Sequence, residues 1–346
     1  MAPTKRSAKS DATLAENLGA SAADMQTTAV AKMDRLAPKT ADTDSKLPYA
    51  LQFPLTVALS MALSTLGSVI MSQVSKGELD SLTRSPETWN GVAIVAGWKI
   101  IELALAWFGK LDSLEAAAMN VLAHGPVMYL LAAFYGLSPA AAFSALAIDV
   151  LAIAVPFYLV LPLSTADDAS IRQSNRELLD IPMQLLTTLL STGIYTVTLV
   201  LSLRFLLPRI LVVYFNGLPS LEPAYSASYA EILPVTILFG LASSTFIFAP
   251  FATTGKAKED TKIEEFDPVN ASLSQTVWWN FWGYTAKTKV VIRRTAAAAV
   301  LTGVSTYLAC SQNIYGIDST GAVAYASVWV AATLLTGVGL GLVGGE

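Results

Sequence analysis

Lys99, Glu102, His124 and Asp149 stand where hydrocarbon should be. Each lies near the middle of an apolar run of the length, about 20 residues, that crosses a bilayer core of roughly 30 Å. A charge at the bilayer centre costs at least about 2.5–3.5 kcal/mol. These side chains are therefore expected to face one another or a wet cavity, and not lipid. Residues three or four apart share a helix face, so Lys99 with Glu102, and Asn120 with His124, each form one polar stripe. At 1.5 Å of rise per residue, Lys99, His124 and Asp149 fall near one plane; Glu102 lies about 4.5 Å and Asn120 about 6 Å to one side of it. The expected pairings are Lys99 with Asp149 and Glu102 with His124. Histidine titrates near neutral pH and can pass a proton. Gly125 and Pro126 follow His124 directly, and Pro126 cannot donate to the carbonyl of Leu122, so a helix kink is predicted there. Lys99, Glu102, Asn120, His124 and Asp149 are thus candidates for a polar pathway or coupling site. The competing reading gives the same residues a purely structural role, as interhelical glue.

Other chemistry is poorly represented. A single histidine and a single cysteine, Cys310, exclude an internal disulfide and a cysteine-based zinc site. There is no HExxH, no nucleophile elbow, no phosphate-binding lysine motif and no dinucleotide fingerprint. Asp167-Asp168 reads as solvated loop charge. No enzyme activity, cofactor or metal is expected. A net charge of −4 gives no basic footprint for nucleic acid.

The elements that must position the polar layer follow from composition. Hydrophobic residues make up 53% and charged residues 14% of the 346, against roughly 25% charged in soluble chains. Spans are expected over about 50–72, 89–109, 113–136, 139–162, 181–203, 230–252, 291–310 and 321–343. The fold class is therefore all-α, a polytopic integral membrane bundle of about eight helices occupying 48–346. Residues 1–47 have no apolar core long enough for a signal peptide and mix seven Lys/Arg with six Asp/Glu, so a disordered tail is expected. Two segments stay open. Residues 204–216, broken by Pro208, extend span 5, lie in the interface or re-enter. The aromatics of 275–289, followed by Lys287, Lys289, Arg293 and Arg294, form either a separate interfacial helix or the aromatic end of span 7.

Small residues recur every four positions in span 1 (Ser60, Ser64, Ser68) and span 8 (Gly337, Gly341, Gly345), a pattern suited to close helix packing or to a homo-oligomer. Lys/Arg counts place the tail, the 6–7 loop and the C-terminus in the cytoplasm, with Arg204 and Arg209 as exceptions. The compartments expected are the ER and its downstream membranes, or a bacterial inner membrane. The functional expectation is a transporter or channel-like protein for a small solute or ion, in contact with the lipid bilayer. The alternative is a non-transporting membrane scaffold or assembly factor.

Overall fold

The structure is a computed structural model that describes residues 48–74, 78–84, 88–161, 181–254 and 271–344, with 260, 263 and 266. The expected tail, the charged 4–5 loop and Gly345 lie outside the described residues. From Leu47 onward the chain forms one compact unit.

The described elements are helical: α1 (Tyr49–Val74), α2 (Glu78–Leu82), α3 (Trp89–Phe108), α4 (Ser113–Phe134), α5 (Pro139–Val160), α6 (Ile181–Leu201), α7 (Leu207–Tyr214), α8 (Glu222–Tyr225), α9 (Tyr229–Ser243), α10 (Ala249–Thr253), α11 (Leu273–Trp282), α12 (Ala286–Leu308) and α13 (Ser319–Gly344). Among the described residues, seven helical stretches are long and apolar enough to cross a membrane: those of α1, α3, α4, α5, α13, the run from α6 through α7, and the run from α9 through α10. The protein is an all-α multi-pass membrane bundle. The eighth expected span is also a helix, α12, but Lys287, Lys289, Arg293 and Arg294 near its start lower its apolarity, and it does not join the seven. It packs centrally all the same, most closely against α13 and α4.

Local sequence explains where these helices begin. Asp112 caps α4: its carboxylate accepts from the Glu115 N–H at 2.6 Å, and Glu115 reaches back to the Asp112 N–H. Ser138 caps α5 ahead of Pro139, and Ser228 with Glu231 forms a capping box on α9.

Residues 204–216 turn out to extend span 5. Helix α6 runs through a π-helical turn, Ser202–Leu206, into α7, giving 34 continuous residues or about 51 Å. That exceeds the hydrocarbon thickness, so Arg204 and Arg209 fall beyond the length that crossing requires, and the Arg204 Nε–H donates to the Ala227 carbonyl at 2.9 Å. A second π turn, Ser244–Phe248, joins α9 to α10. Both turns begin six residues before a proline, Pro208 and Pro250. The wider turn makes room for a ring that would strike the preceding carbonyl and supplies no N–H.

Small residues set the closest approaches. A Cβ on Gly240 of α9 would strike Thr192 of α6 and lie 2.9 Å from the Thr188 carbonyl oxygen. The hydroxyls of Thr196 and Thr236 meet at 2.7 Å across the same pair. On α1 the buried face is Gln52, Thr56, Ser60, Gly67 and Met71, with Ser64 partly buried. Ser68 is exposed and bonds to its own helix at the Thr65 carbonyl, and Gly67 instead takes Ile148 of α5. The 3.6-residue turn has carried the four-residue ladder off the seam by that point. In α13, Gly337 packs on Thr295 and Gly341 on Val291, both in α12. Gly337 and Gly341 of span 8 therefore serve close helix packing within the chain, one of the two uses expected of this ladder.

Replacing Gly240 with leucine should cost about 1–3 kcal/mol through overpacking, lowering the thermal unfolding midpoint of detergent-solubilised protein. Gly97→Leu, where a Cβ meets nothing within 4 Å, should leave the midpoint unchanged.

Candidate functional site

Alternation of the helices gives the bundle two ends. The near end holds the start of α1 and the 108–113 turn. The far end holds the connections after α1, α4, α7 and α12, where Thr83 pairs with Ile314 and Phe215 with Ile317 as isolated bridges. The Arg84 N–H donates to the Asn313 carbonyl at 2.6 Å, fastening the 1–2 connection to the end of α12.

Between α1, α3, α4, α5 and α12 lies a partly open cavity of about 450 Å³. Lys99, Glu102, His124 and Asp149 all line it, with Ser64, Trp98 and Ser305 at the same depth and Thr83, Asn313 and Ile314 toward the far end. The cavity exists because α3 stands off from the bundle and makes only slight contact with α1 and α12. The outer face of α3 carries exposed Ile94, Ile101 and Leu105, whereas Val92 lines the cavity. At the far-end margin the last turn of α12 opens into a third π segment, Ala309–Asn313, which brings Ala309 and Asn313 to the cavity wall.

Glu102 is the fixed point of the site, with 1% of its surface exposed. Its Oε1 accepts from the Ser305 hydroxyl at 2.5 Å and from the Trp98 indole N–H at 2.8 Å. Its Oε2 lies 3.3 Å from His124 Nε2. One carboxylate thereby joins α3, α4 and α12. Bonds to an ionised acceptor are shorter and roughly twice as strong as neutral ones, and a buried carboxylate requires them.

The Glu102–His124 contact agrees with the expected pairing. Lys99 and Asp149 do not pair: no ion pair within 4 Å joins them, although both face the cavity and both are partly exposed. The physical reason is the stand-off of α3, which leaves space between them. Asn120 is not on the cavity wall; it is 1% exposed, one turn from His124 toward the near end, and neither amide atom has a hydrogen-bond partner. Helix α4 passes through Pro126 without interruption. The Leu122 carbonyl that Pro126 cannot serve instead accepts from the Thr302 hydroxyl at 3.0 Å, and the Pro126 carbonyl accepts from the Tyr325 hydroxyl at 2.7 Å. Gly125 serves close packing: the Phe239 ring fills the space where its side chain would be.

Toward the near end the α4–α12 seam carries a second polar contact. Arg294 Nη2 donates to both oxygens of Glu115, at 3.3 Å each, and its guanidinium stacks 5.0 Å above the Phe246 ring. Glu115 also serves the cap of α4, and sequence reasoning missed Arg294 as its partner. It also missed Trp98, Ser305 and Thr302. The available signals were an indole one turn from Glu102, and hydroxyls three apart on span 7.

Comparison of the chain with family models, curated proteins and solved structures finds no match in any of the three.

With Cys310 replaced by alanine, a cysteine at Ser64 should react with a charged, membrane-impermeant thiol reagent supplied from the far end, and one at Asn120 should not. Equal protection of both positions, read by mass shift, would mean that the cavity is dry.

Proposed function

We propose that the protein is a transporter of a small polar solute or cation, which enters the cavity from the far end and meets the Glu102–His124 pair at mid-bundle. The observation that carries this reading is the placement of four ionisable side chains around one half-open space inside a membrane bundle. Structural glue calls for closed, mutually satisfied contacts. Lys99 and Asp149 instead keep partial exposure and make no ion pair within 4 Å among the described residues. One lysine against two carboxylates leaves the wall negative when His124 is neutral, which favours a cation or a protonatable solute. Intramembrane ionisable groups that face a cavity mark substrate and proton paths.

The arrangement is asymmetric in the way that alternating access requires. The cavity lining runs from Thr83, Asn313 and Ile314 at the far end to Glu102, whereas toward the near end Asn120 is buried and Glu115 is held by Arg294. Breaking the Glu115–Arg294 contact while closing α3 onto the cavity would expose the polar layer to the other side. Under the positive-inside count the near end is cytoplasmic.

In proteoliposomes loaded with a pH-sensitive dye, the wild-type chain should carry protons. Asp149→Asn should cut that flux at least about tenfold with little change in the unfolding midpoint, and Glu102→Gln should cut it together with a lower midpoint, since Glu102 also joins three helices. A silent wild type, with Asp149→Asn lowering only stability, would favour a non-transporting scaffold.

A further inference from the structure

A second cavity lies on the outer surface of the bundle at the near end, between α12 and α13. It is a groove of about 400 Å³ lined by Phe251, Val291, Ile292, Ala296, Leu334 and Val338, with Gly337 and Gly341 forming part of its floor. Its walls are apolar apart from Thr288 at one end and Thr295. Along α12 it runs from Thr288 to Ala296, about 12 Å. The groove exists because glycines on α13 let the two helices close at their base while Ile292, Ala296, Leu334 and Val338 stand apart above it.

The depth of its mouth is fixed by the neighbouring helix. Helix α11 buries none of its ten residues and presents Leu273, Val277, Trp278 and Phe281 outward. It is capped at both ends and breaks at Gly283, so it is a separate helix and not the start of α12. Trp278 lies 5.8 Å from the Lys289 ammonium and Trp282 lies 6.0 Å from the Arg293 guanidinium. An exposed aromatic helix braced by cations belongs at headgroup level. Thr288, three residues into α12, is then at that level too, and the groove descends from it into the acyl region. Lys287 is exposed beside the mouth and makes no ion pair among the described residues. The Ala286 N–H at the start of α12 donates to the Asp260 carboxylate at 2.8 Å, so that helix end is already matched by an anion and Lys287 is the charge left to meet a headgroup.

We propose that this groove is a binding site for an anionic phospholipid, with one acyl chain lying between Ile292 and Ala296 on one side and Leu334 and Val338 on the other, and the phosphate beside Lys287. Charge decides the ligand. A zwitterionic lipid fills the apolar slot equally well but gains less from the lysine. A second copy of the chain fits poorly, because the glycine ladder that would receive it is already packed against Thr295 and Val291. The proposal is independent of the transport reading, since none of the groove residues touches the polar cavity.

The test is native mass spectrometry of the full chain in uncharged detergent, with dioleoylphosphatidylglycerol and dioleoylphosphatidylcholine supplied in equal amounts. Phosphatidylglycerol should be retained about fivefold more than phosphatidylcholine, the preference that one lysine near a headgroup provides. Lys287→Gln, at an exposed position, should bring the ratio close to one. Ala296→Trp, which fills the groove from its exposed wall, should remove retention of both lipids while the thermal unfolding midpoint of the detergent-solubilised chain is kept. Equal retention of the two lipids by the wild type, or a preference unaltered by Lys287→Gln, would overturn the proposal. So would a wild-type dimer that Ala296→Trp dissociates, which would assign the groove to a second copy.

Discussion

Burying a carboxylate in the middle of a membrane bundle is costly unless donors meet it, and Glu102 is where this constraint acts most strongly. Its oxygens take a serine hydroxyl from α12, an indole N–H from its own helix and an imidazole from α4. Those contacts hold α3 to the bundle at one depth. Nearer the 108–113 turn Trp107 packs on Phe53 and Phe157, whereas toward the far end α3 stands off, and the space it leaves is the cavity that Lys99 and Asp149 share. The same carboxylate therefore anchors a loosely packed helix and sets the floor of the polar chamber.

The rest of the bundle supports that chamber by being tightly closed. Phe239 and Trp329 meet at 4.7 Å between ring centroids, and Tyr195 packs on Phe239 at 5.4 Å. The Tyr195 hydroxyl lies 3.0 Å from Thr333 and accepts from Ser243 at 3.3 Å, joining α6, α9 and α13. Hydroxyls, glycines and aromatic rings do this work because lipid tails offer apolar helices little hydrophobic reason to associate. Three π turns add local width to long helices. Two of them accommodate prolines, and the third lies on the cavity wall.

Much of this was legible in the sequence, for physical reasons that can be named. The spans emerge because hydrocarbon tolerates only long apolar helices, and the helices begin close to where caps and prolines place them: Asp112, Ser138 with Pro139, Ser228. The convergence of Lys99, Glu102, His124 and Asp149 follows from the cost of stranded charge. The Lys99–Asp149 pairing did not follow, because depth along a helix axis fixes height and says nothing about how far one helix stands from the next. Ser68 was grouped with the packing residues of span 1, but the drift of a four-residue repeat round a 3.6-residue turn carries it off the seam. The partners Ser305, Thr302 and Arg294 lie on the expected span 7, but which helix packs beside which is set by tertiary contacts that span order does not reveal, and α12 lies at the centre of the packing. Pro126 shows the same limit: the sequence revealed the orphaned carbonyl of Leu122, but only the fold supplied Thr302 to satisfy it.

The account rests on Glu102 being held across helices by Ser305. A double-mutant cycle of Glu102→Gln and Ser305→Ala, read from reversible unfolding in mixed micelles, measures that link without any assumption about a substrate. A coupling energy of about 1 kcal/mol or more is predicted, above the average of about 0.6 kcal/mol for interhelical hydrogen bonds in a membrane. Effects that add to within about 0.3 kcal/mol would contradict it, leaving α3 without its anchor and the polar chamber without a floor.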